Sequence, residues 1–332
     1  MGPKHPPSSH AAHAERVVKA AQSAAAASAV AASWSRSLNF HGLVPDDPLR
    51  REPVDRCSLR EARERMGHML PIAAGIMDRL FAAVGESGCS VILGNADGVI
   101  LERRGAPGDD EAFVRSGLRT GANWNESAEG TNGIGTCLIE ERPVIVYRDD
   151  HFHSRNMAMS CMGAPIFDHL GRLAAVLDVS SCRQDMTMGV ARLTAHAAAD
   201  AARRIESDLF QNAFPDCRII IAEGHGPGGA MLLAVDRDDL LVGATRKARR
   251  TLGLGDDSFD TPSPLSDIMD GTHNRSDLGD AERSEIRRAL ARASGNASAA
   301  ARDLGLSRAT LYRRMKRLGI NRQAPASSAP DE

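Results

Sequence analysis

The stretch from Ala281 to Gly319 constrains this chain more than any other. It reads as three short helices, the last two joined by a tight turn. Ile286 and Leu290 give the first an apolar stripe, Ala300 and Leu304 the second, and Leu311, Met315 and Leu318 the third, the recurrence of a helix with one buried side. Gly305 stands where a helix ends in a left-handed residue, and Ser307 where the next needs an N-cap. A helix, a Gly-containing turn and a second helix form an arrangement whose second helix enters the DNA major groove. Projected at about 100° per residue, Leu311, Met315 and Leu318 cluster on one side. Thr310, Arg313 and Arg317 point the opposite way, with Lys316 close by and Arg308 at the exposed N-terminus. No acidic residue occurs between Leu304 and Pro330. A solvated basic face on an ordinary bundle helix is the bland alternative. The turn chemistry and the two-helix spacing favour DNA, with arginine suited to guanine edges and phosphates.

The rest of the chain is not basic. Across 332 residues the formal net charge is −2, so the cationic end is a local module on a neutral body. The length leaves room for two or three domains. Six cysteines are scattered with no C-x-x-C pair, which fits reduced thiols in a cytoplasm better than a disulfide framework. No apolar run approaches the roughly 20 residues needed to cross a bilayer. The Ala-rich stretch Ala20–Ala32 lacks Leu and is broken by Gln22, Ser23 and Ser28, so it does not read as a signal peptide.

Residues 1 to about 12 are rich in Pro, His and Ser and are expected to be disordered. Helical composition runs on to about Ser37, then a Pro-marked loop at Val44–Pro48. Ser58–Val84 has the spacing of one amphipathic helix that Pro71 kinks or splits. Ser90–Leu93, the turn Asn95–Gly98 and Val99–Leu101 form a hairpin pattern. A short helix over Glu111–Arg119 and a strand over Pro143–Tyr147 follow. A second hairpin joins Gly163–Phe167 to Leu173–Val179 through the turn Asp168–Gly171, and a helix from Met188 to Ala213 closes the unit. Hairpins bracketed by longer helices predict an α+β domain with an antiparallel sheet.

At the C-terminus, Ile286–Leu290, Gly295-Asn296, Ala300–Gly305, Ser307-Arg308, Thr310–Arg314 and Leu318–Ile320 resemble the Fis-type helix-turn-helix of bacterial enhancer-binding regulators. The resemblance implies phosphate contacts from Asn296 and Ser298, and groove-facing roles for Ser307, Arg308, Thr310, Arg313 and Arg314. Arg317 joins these DNA-binding candidates from its place on the cationic face. The body resembles a GAF sensor of the acetoin-catabolism-activator type. The residues carrying this are Ser33–Ser37, Gly42–Pro45, Trp124–Glu126, Gly130–Thr136, Pro143-Val144, His151-Phe152, Cys161, Ala164–Ile166, Gly171–Leu173 and Val176–Ser180. Asp150 departs from the Glu that commonly precedes His-Phe. The resemblance implies a domain that senses a small molecule and forms a homodimer. Cys217–Ile221, Met231–Asp236, Asp239–Thr245 and the helix-like Arg246–Leu254 resemble the opening of a PAS domain whose later strands do not follow.

The expected divisions are a disordered, Ala-rich segment 1–30, N-terminal helices plus GAF sensor 31–214, a partial PAS-like segment 215–255, a Pro, Ser, Asp and Gly-rich linker 256–280, the helix-turn-helix 281–322 and a disordered tail 323–332. Regulators of this resemblance place an ATPase between sensor and DNA-binding module. Here no G-x-x-x-x-G-K-[ST] loop occurs, so the phosphate cradle and its lysine are missing. Gly130–Gly135 has glycines in the wrong order for a dinucleotide fingerprint. It reads as a turn permitting close backbone packing beside a ligand pocket.

Asp149, Asp150, His151 and His153 offer metal-ligand types, but a polar helix start is the commoner meaning, and neither metal nor cofactor is expected. Trp124, Asn132, Tyr147, His151 and Cys161 are the candidates for lining a ligand pocket. The expectation is a cytoplasmic, ligand-responsive regulator, not an enzyme. It would bind double-stranded DNA as a homodimer, with RNA polymerase or a full-length regulator as a further partner and no membrane. The alternatives are a cysteine-dependent redox enzyme of GAF type, using Cys137 or Cys161, and an architectural DNA-binding protein whose GAF domain only dimerises.

Overall fold

Residues 9–23, 28–48, 52–222, 229–260, 262–269, 278–293 and 295–320 are described by the computed structural model. The chain divides into a unit of residues 1–265 and one of residues 266–332. Helix α1 (Ser9–Ser23) begins inside the stretch expected to be disordered. It is held because Val17 and Ala21 bury against Trp34 and Phe152, a gain that composition does not show. Helix α2 (Ala29–Ser35) follows, capped by Ser28, and continues as a π-helical turn at Arg36–Phe40.

The helix expected over Ser58–Val84 is two helices, α3 (Arg56–Met66) and α4 (Met69–Val84). The break falls at Gly67, where φ is 50°, and not at Pro71. Pro71 sits in the first turn of α4, where its missing N–H removes no intrahelical bond.

The main sheet is then laid down by β1 (Cys89–Asn95), β2 (Ile100–Arg104), β3 (Val144–Tyr147), β4 (Ser160–Phe167) and β5 (Leu173–Ser181). Its order is β2-β1-β5-β4-β3, antiparallel throughout. Asn95 closes the first hairpin by accepting the Asp97 and Val99 N–H groups at 3.1 and 2.9 Å. Between β2 and β3 lie α5 (Asp110–Arg115), shorter than the helix expected there, α6 (Glu126–Glu129) and α7 (Gly133–Glu140).

Alternation along the strands sends side chains to two faces. Val91, Leu93, Met162, Ala164, Leu177 and Val179 meet Met77 and Leu80 of α4 and Ala198 and Ile205 of α8 (Met188–Ala213). Ile92, Val176 and Cys161 turn the other way, under Phe113 of α5 and Ile134 and Cys137 of α7. This is the expected α+β body.

A second, three-stranded antiparallel sheet of β6 (Arg218–Ala222), β7 (Met231–Val235) and β8 (Leu241–Ala244) precedes α9 (Arg246–Leu252). The linker expected from residue 256 begins later than its composition suggests. Helix α10 (Asp257–Asp260) and the start of α11 (Leu265–Met269) stay on this sheet. Leu241 N–H donates to Ser263 O at 2.9 Å and Leu265 N–H to Asp239 O at 3.0 Å. Arg249 pairs with Asp256 at 2.8 Å and lies 4.1 Å from the Phe259 ring centroid. Residues 270–277 of the expected linker, and the expected tail 323–332, lie outside the described residues.

The second unit holds α12 (Leu278–Arg292), α13 (Ala297–Asp303) and α14 (Arg308–Arg317) around Ile286, Ala289, Ala300, Leu311, Met315 and Leu318. Each apolar residue that defined the three stripes belongs to this core or packs against it.

Candidate DNA-binding face and sensor core

The turns that set α13 and α14 are built from their own side chains. Asn296 Oδ1 accepts the N–H groups of Ser298 and Ala299 at 3.0 and 3.2 Å. Ser307 Oγ accepts the Thr310 N–H at 3.1 Å and lies 2.8 Å from Thr310 Oγ1. Between them Gly305 takes φ of 63°, the left-handed geometry that ends α13 and lets α14 leave at an angle. Asn296, Ser298, Ser307 and Thr310 therefore serve the fold first. The carbonyl oxygen of Asn296 is occupied by the cap, so a phosphate contact from it falls to Nδ2.

The arginines separate into two groups. Arg308 and Arg313 are exposed, as is Lys316, and among the described residues none of the three has an ion pair. Arg308 lies 5.6 Å from the Tyr312 ring centroid. Arg314 instead pairs with Glu282 Oε1 of α12 at 3.0 Å, and Arg317 pairs with Oε2 of the same carboxylate. Helix projection placed Arg317 on the outer face; its side chain leans back to α12 because an acid waits there.

In the α+β body the five pocket candidates do not all meet. Tyr147 points to the sheet face covered by α4 and α8, where its hydroxyl donates to Met186 O at 2.8 Å. The other four lie on the opposite face. Trp124 Nε1 donates to Gly117 O at 3.0 Å. Asn132 caps α7, accepting from Ile134 and Gly135 N–H at 2.9 and 2.8 Å and donating to Trp124 O at 3.0 Å and Gly130 O at 2.8 Å.

His151 and Cys161 are in contact, Nε2 to Sγ 3.3 Å, while His151 Nδ1 lies 2.8 Å from Arg148 O. A carbonyl only accepts, so Nδ1 carries the proton and Nε2 accepts from the thiol. Burial lowers the His151 pKa to about 4, which keeps it neutral.

Two residues of the Val176–Ser180 stretch that were not among the pocket candidates extend this contact. Ser180 Oγ lies 3.1 Å from Cys161 Sγ and 2.5 Å from Asp178 Oδ2. Burial raises the Asp178 pKa to about 6, against the hydrogen bond from Ser180, and among the described residues its Oδ1 has no hydrogen-bond partner. Ser180 donates to Asp178 and lies against Cys161, whose thiol donates to His151, so the four groups form one continuous buried polar contact. Gly133 packs directly on this cluster: a Cβ there would strike Asp178 Oδ1 and Cys161 Cβ. Signals were present in the sequence. Asp178 is an acid inside an apolar strand, on the face shared by Val176 and Ser180.

The same core answers the redox alternative. Burial first, and the Asp178 charge second, push the Cys137 and Cys161 thiols well above the usual range, so neither supplies a thiolate near neutral pH. Asp149 pairs with Arg16, and Asp150 accepts the Tyr147 N–H at 3.2 Å. Among the described residues no group of three or more His, Cys, Asp and Glu is placed to hold a metal.

The N-terminal helices close over this face. His13 of α1 reaches the carbonyls of His151 and Phe152 at 3.0 and 3.3 Å, and Trp34 Nε1 donates to Asp150 O at 2.8 Å. Arg36 pairs with Glu126 at 2.6 Å and Glu140 at 3.1 Å. Ser33 Oγ donates to Glu126 Oε2 at 2.6 Å.

Residues 8–207 match the family model described as MimR, N-terminal domain, and residues 278–318 match that of the bacterial regulatory protein, Fis family. The acetoin catabolism regulatory protein of Cupriavidus necator is 30% identical over 66% of this chain and 34% of its own length. The propane 2-monooxygenase operon transcriptional activator MimR of Mycolicibacterium smegmatis is 29% identical over 71% of this chain and 39% of its own. The chain thus spans roughly a third of the length of these curated relatives. A chain of the Escherichia coli DhaR(N)–DhaL complex shares the fold, with a TM-score of 0.50 at 17% identity over 72% of this chain and 80% of that one. With its first 200 residues matched almost throughout and a Fis-type helix-turn-helix match after them, the chain belongs to the MimR N-terminal domain family.

Proposed function

We propose that this protein regulates transcription by binding double-stranded DNA through α14, under the control of a small-molecule effector taken by the GAF-type body. The observation that carries the reading is α14 itself. Ser307 caps it, Leu311 and Met315 bury one side, and Arg308, Arg313 and Lys316 stand exposed, the charge distribution a groove-entering helix needs. The curated relatives named for acetoin catabolism and propane oxidation support a target operon for breaking down a small organic compound.

In this reading the sensor comprises residues 31–214 together with the α1–α2 cover, and the chain works as a homodimer in the cytoplasm. Among the described residues no helix is long and apolar enough to cross a membrane. Residues 208–277 lie between the two family matches and hold no phosphate-binding loop. These 332 residues therefore act by occupying DNA, blocking or recruiting RNA polymerase or a full-length relative, without hydrolysing ATP. Effector control is then a difference in DNA affinity between two body conformations.

Selection from a random duplex library tests this. The full chain enriches one sequence, a chain ending at residue 277 enriches none, and ATP changes neither result. Enrichment by the shortened chain, or promoter melting that requires ATP, contradicts the proposal.

A further inference from the structure

The carboxylate of Glu282 lies at the start of α12, across from the third helix, and holds two arginines at once. Arg314 Nη1 is 3.0 Å from Oε1, an ion pair by distance without hydrogen-bond geometry, and Arg317 donates to Oε2. The two arginines are three residues apart, so they rise from one side of α14 and converge on a single acid. Glu282 is largely covered, its side chain 20% exposed against 42% for Arg314 and 64% for Arg317. Nearby cations follow the same pattern: Arg292 pairs with Asp303 at 2.9 Å and Glu285 at 3.3 Å, and Arg288 with Glu285 at 3.0 Å. Arg308, Arg313 and Lys316 stand outside these pairs.

We propose that Glu282 is a positioning residue that withholds Arg314 and Arg317 from DNA phosphates and fixes the outward roll of α14, leaving Arg308, Arg313 and Lys316 as its groove cations. This rests on the DNA-binding reading above. The chemistry is direct. Every unpaired cation on a binding face adds sequence-independent phosphate attraction, which raises affinity for all DNA alike. An internal acid that claims two arginines lowers that background and leaves binding dependent on base contacts. The same clasp ties α14 to α12 by charge at the end where Arg283 Nε donates to Leu318 O at 2.9 Å.

The test measures binding by the full chain to two 25-base-pair duplexes across a salt series, one the selected sequence and one scrambled. In E282Q two arginines are released, so the slope of log affinity against log salt should steepen by up to about 1.8, at ~0.9 per phosphate. The released charge adds to both duplexes alike, whereas losing the fixed roll of α14 misplaces its base contacts, so preference for the selected over the scrambled duplex should fall several-fold. R317Q supplies the second arm. It should leave the slope and the preference unchanged, whereas R313Q flattens the slope by about 0.9.

An E282Q chain that folds by circular dichroism yet keeps the wild-type slope and preference overturns the proposal. So does an R317Q chain that loses slope as R313Q does, and this arm decides if E282Q does not fold. Wild-type protein that binds neither duplex at any salt concentration sinks the DNA-binding reading instead, which keeps the two failures apart.

Discussion

Arg36 Nε donates to Glu126 Oε1 at 2.6 Å, and its Nη2 to Oε2 at 3.1 Å, across a sequence separation of 90 residues. This fork joins the π-helical turn after α2 to the helices over the sensor core. Glu126 is buried, its side chain only 1% exposed, and its carboxylate is held by Arg36 and the Ser33 hydroxyl.

Glu126→Ala should therefore destabilise the protein by about 2–3 kcal/mol. That is below the usual cost of breaking a fully buried pair, because Arg36 keeps partial access to water. Urea unfolding checks it, and a loss below about 0.5 kcal/mol, typical of exposed pairs, shows that the clasp is dispensable.

Two buried groups give opposite pH dependence. His151 has a pKa lowered to about 4 from 6.5. Between those values the unfolded chain binds the proton that folded His151 refuses, so its contribution is lost as pH falls through that window. Asp178 has a pKa raised to about 6 from 3.8. Its contribution is complete below 3.8 and lost as pH rises to 6. Asp178→Asn removes only the second effect. The variant should gain on the order of 2–3 kcal/mol relative to wild type between pH 4 and pH 7. Urea midpoints of both proteins over that range measure it, and a difference that does not vary with pH contradicts the assignment.

Cap and DNA contact are separable at Ser307. Ser307→Ala should cost about 1 kcal/mol of stability in the second unit through the lost cap. Ser307→Asp keeps a capping oxygen but sets a negative charge where phosphate is expected. Its thermal midpoint should stay near wild type while DNA affinity falls at least tenfold. Equal DNA affinity in Ser307→Asp and wild type would remove Ser307 from the interface.

Thiol labelling addresses the sensor core. Cys57 is exposed, whereas Cys89, Cys137 and Cys161 are buried. In the native protein Cys57 should react with a maleimide first, and Cys137 and Cys161 only after denaturant is added. Rapid labelling of Cys161 in the native protein would revive cysteine chemistry at this site.

What the sequence revealed follows from how local each signal is. The hairpins were legible because Asn95–Gly98 and Asp168–Gly171 close them through their own side chains and backbone. The helix-turn-helix was legible because Gly305, Ser307 and three apolar stripes agree. The break in the α3–α4 pair was misplaced because a proline attracts attention wherever it stands, although Pro71 is harmless in a first turn. Alternation in β3 carries Tyr147 to the far side from Cys161, yet strand pattern alone does not say which face holds a site. Glu126 and Glu282 were not legible as anchors. Their partners are 90 residues away in one case and a helix away in the other, and a lone acid looks the same on a surface as inside a clasp.

On the proposed function, α14 enters DNA with Arg313 at the interface. Fluorescence anisotropy of a labelled duplex bearing the selected sequence, titrated with full chain over a salt series, measures it most directly. Affinity should fall steeply with salt, and an Arg313→Ala variant should bind that duplex more weakly by about 1–3 kcal/mol. Salt-independent binding, or an Arg313→Ala chain that binds as wild type does, contradicts it.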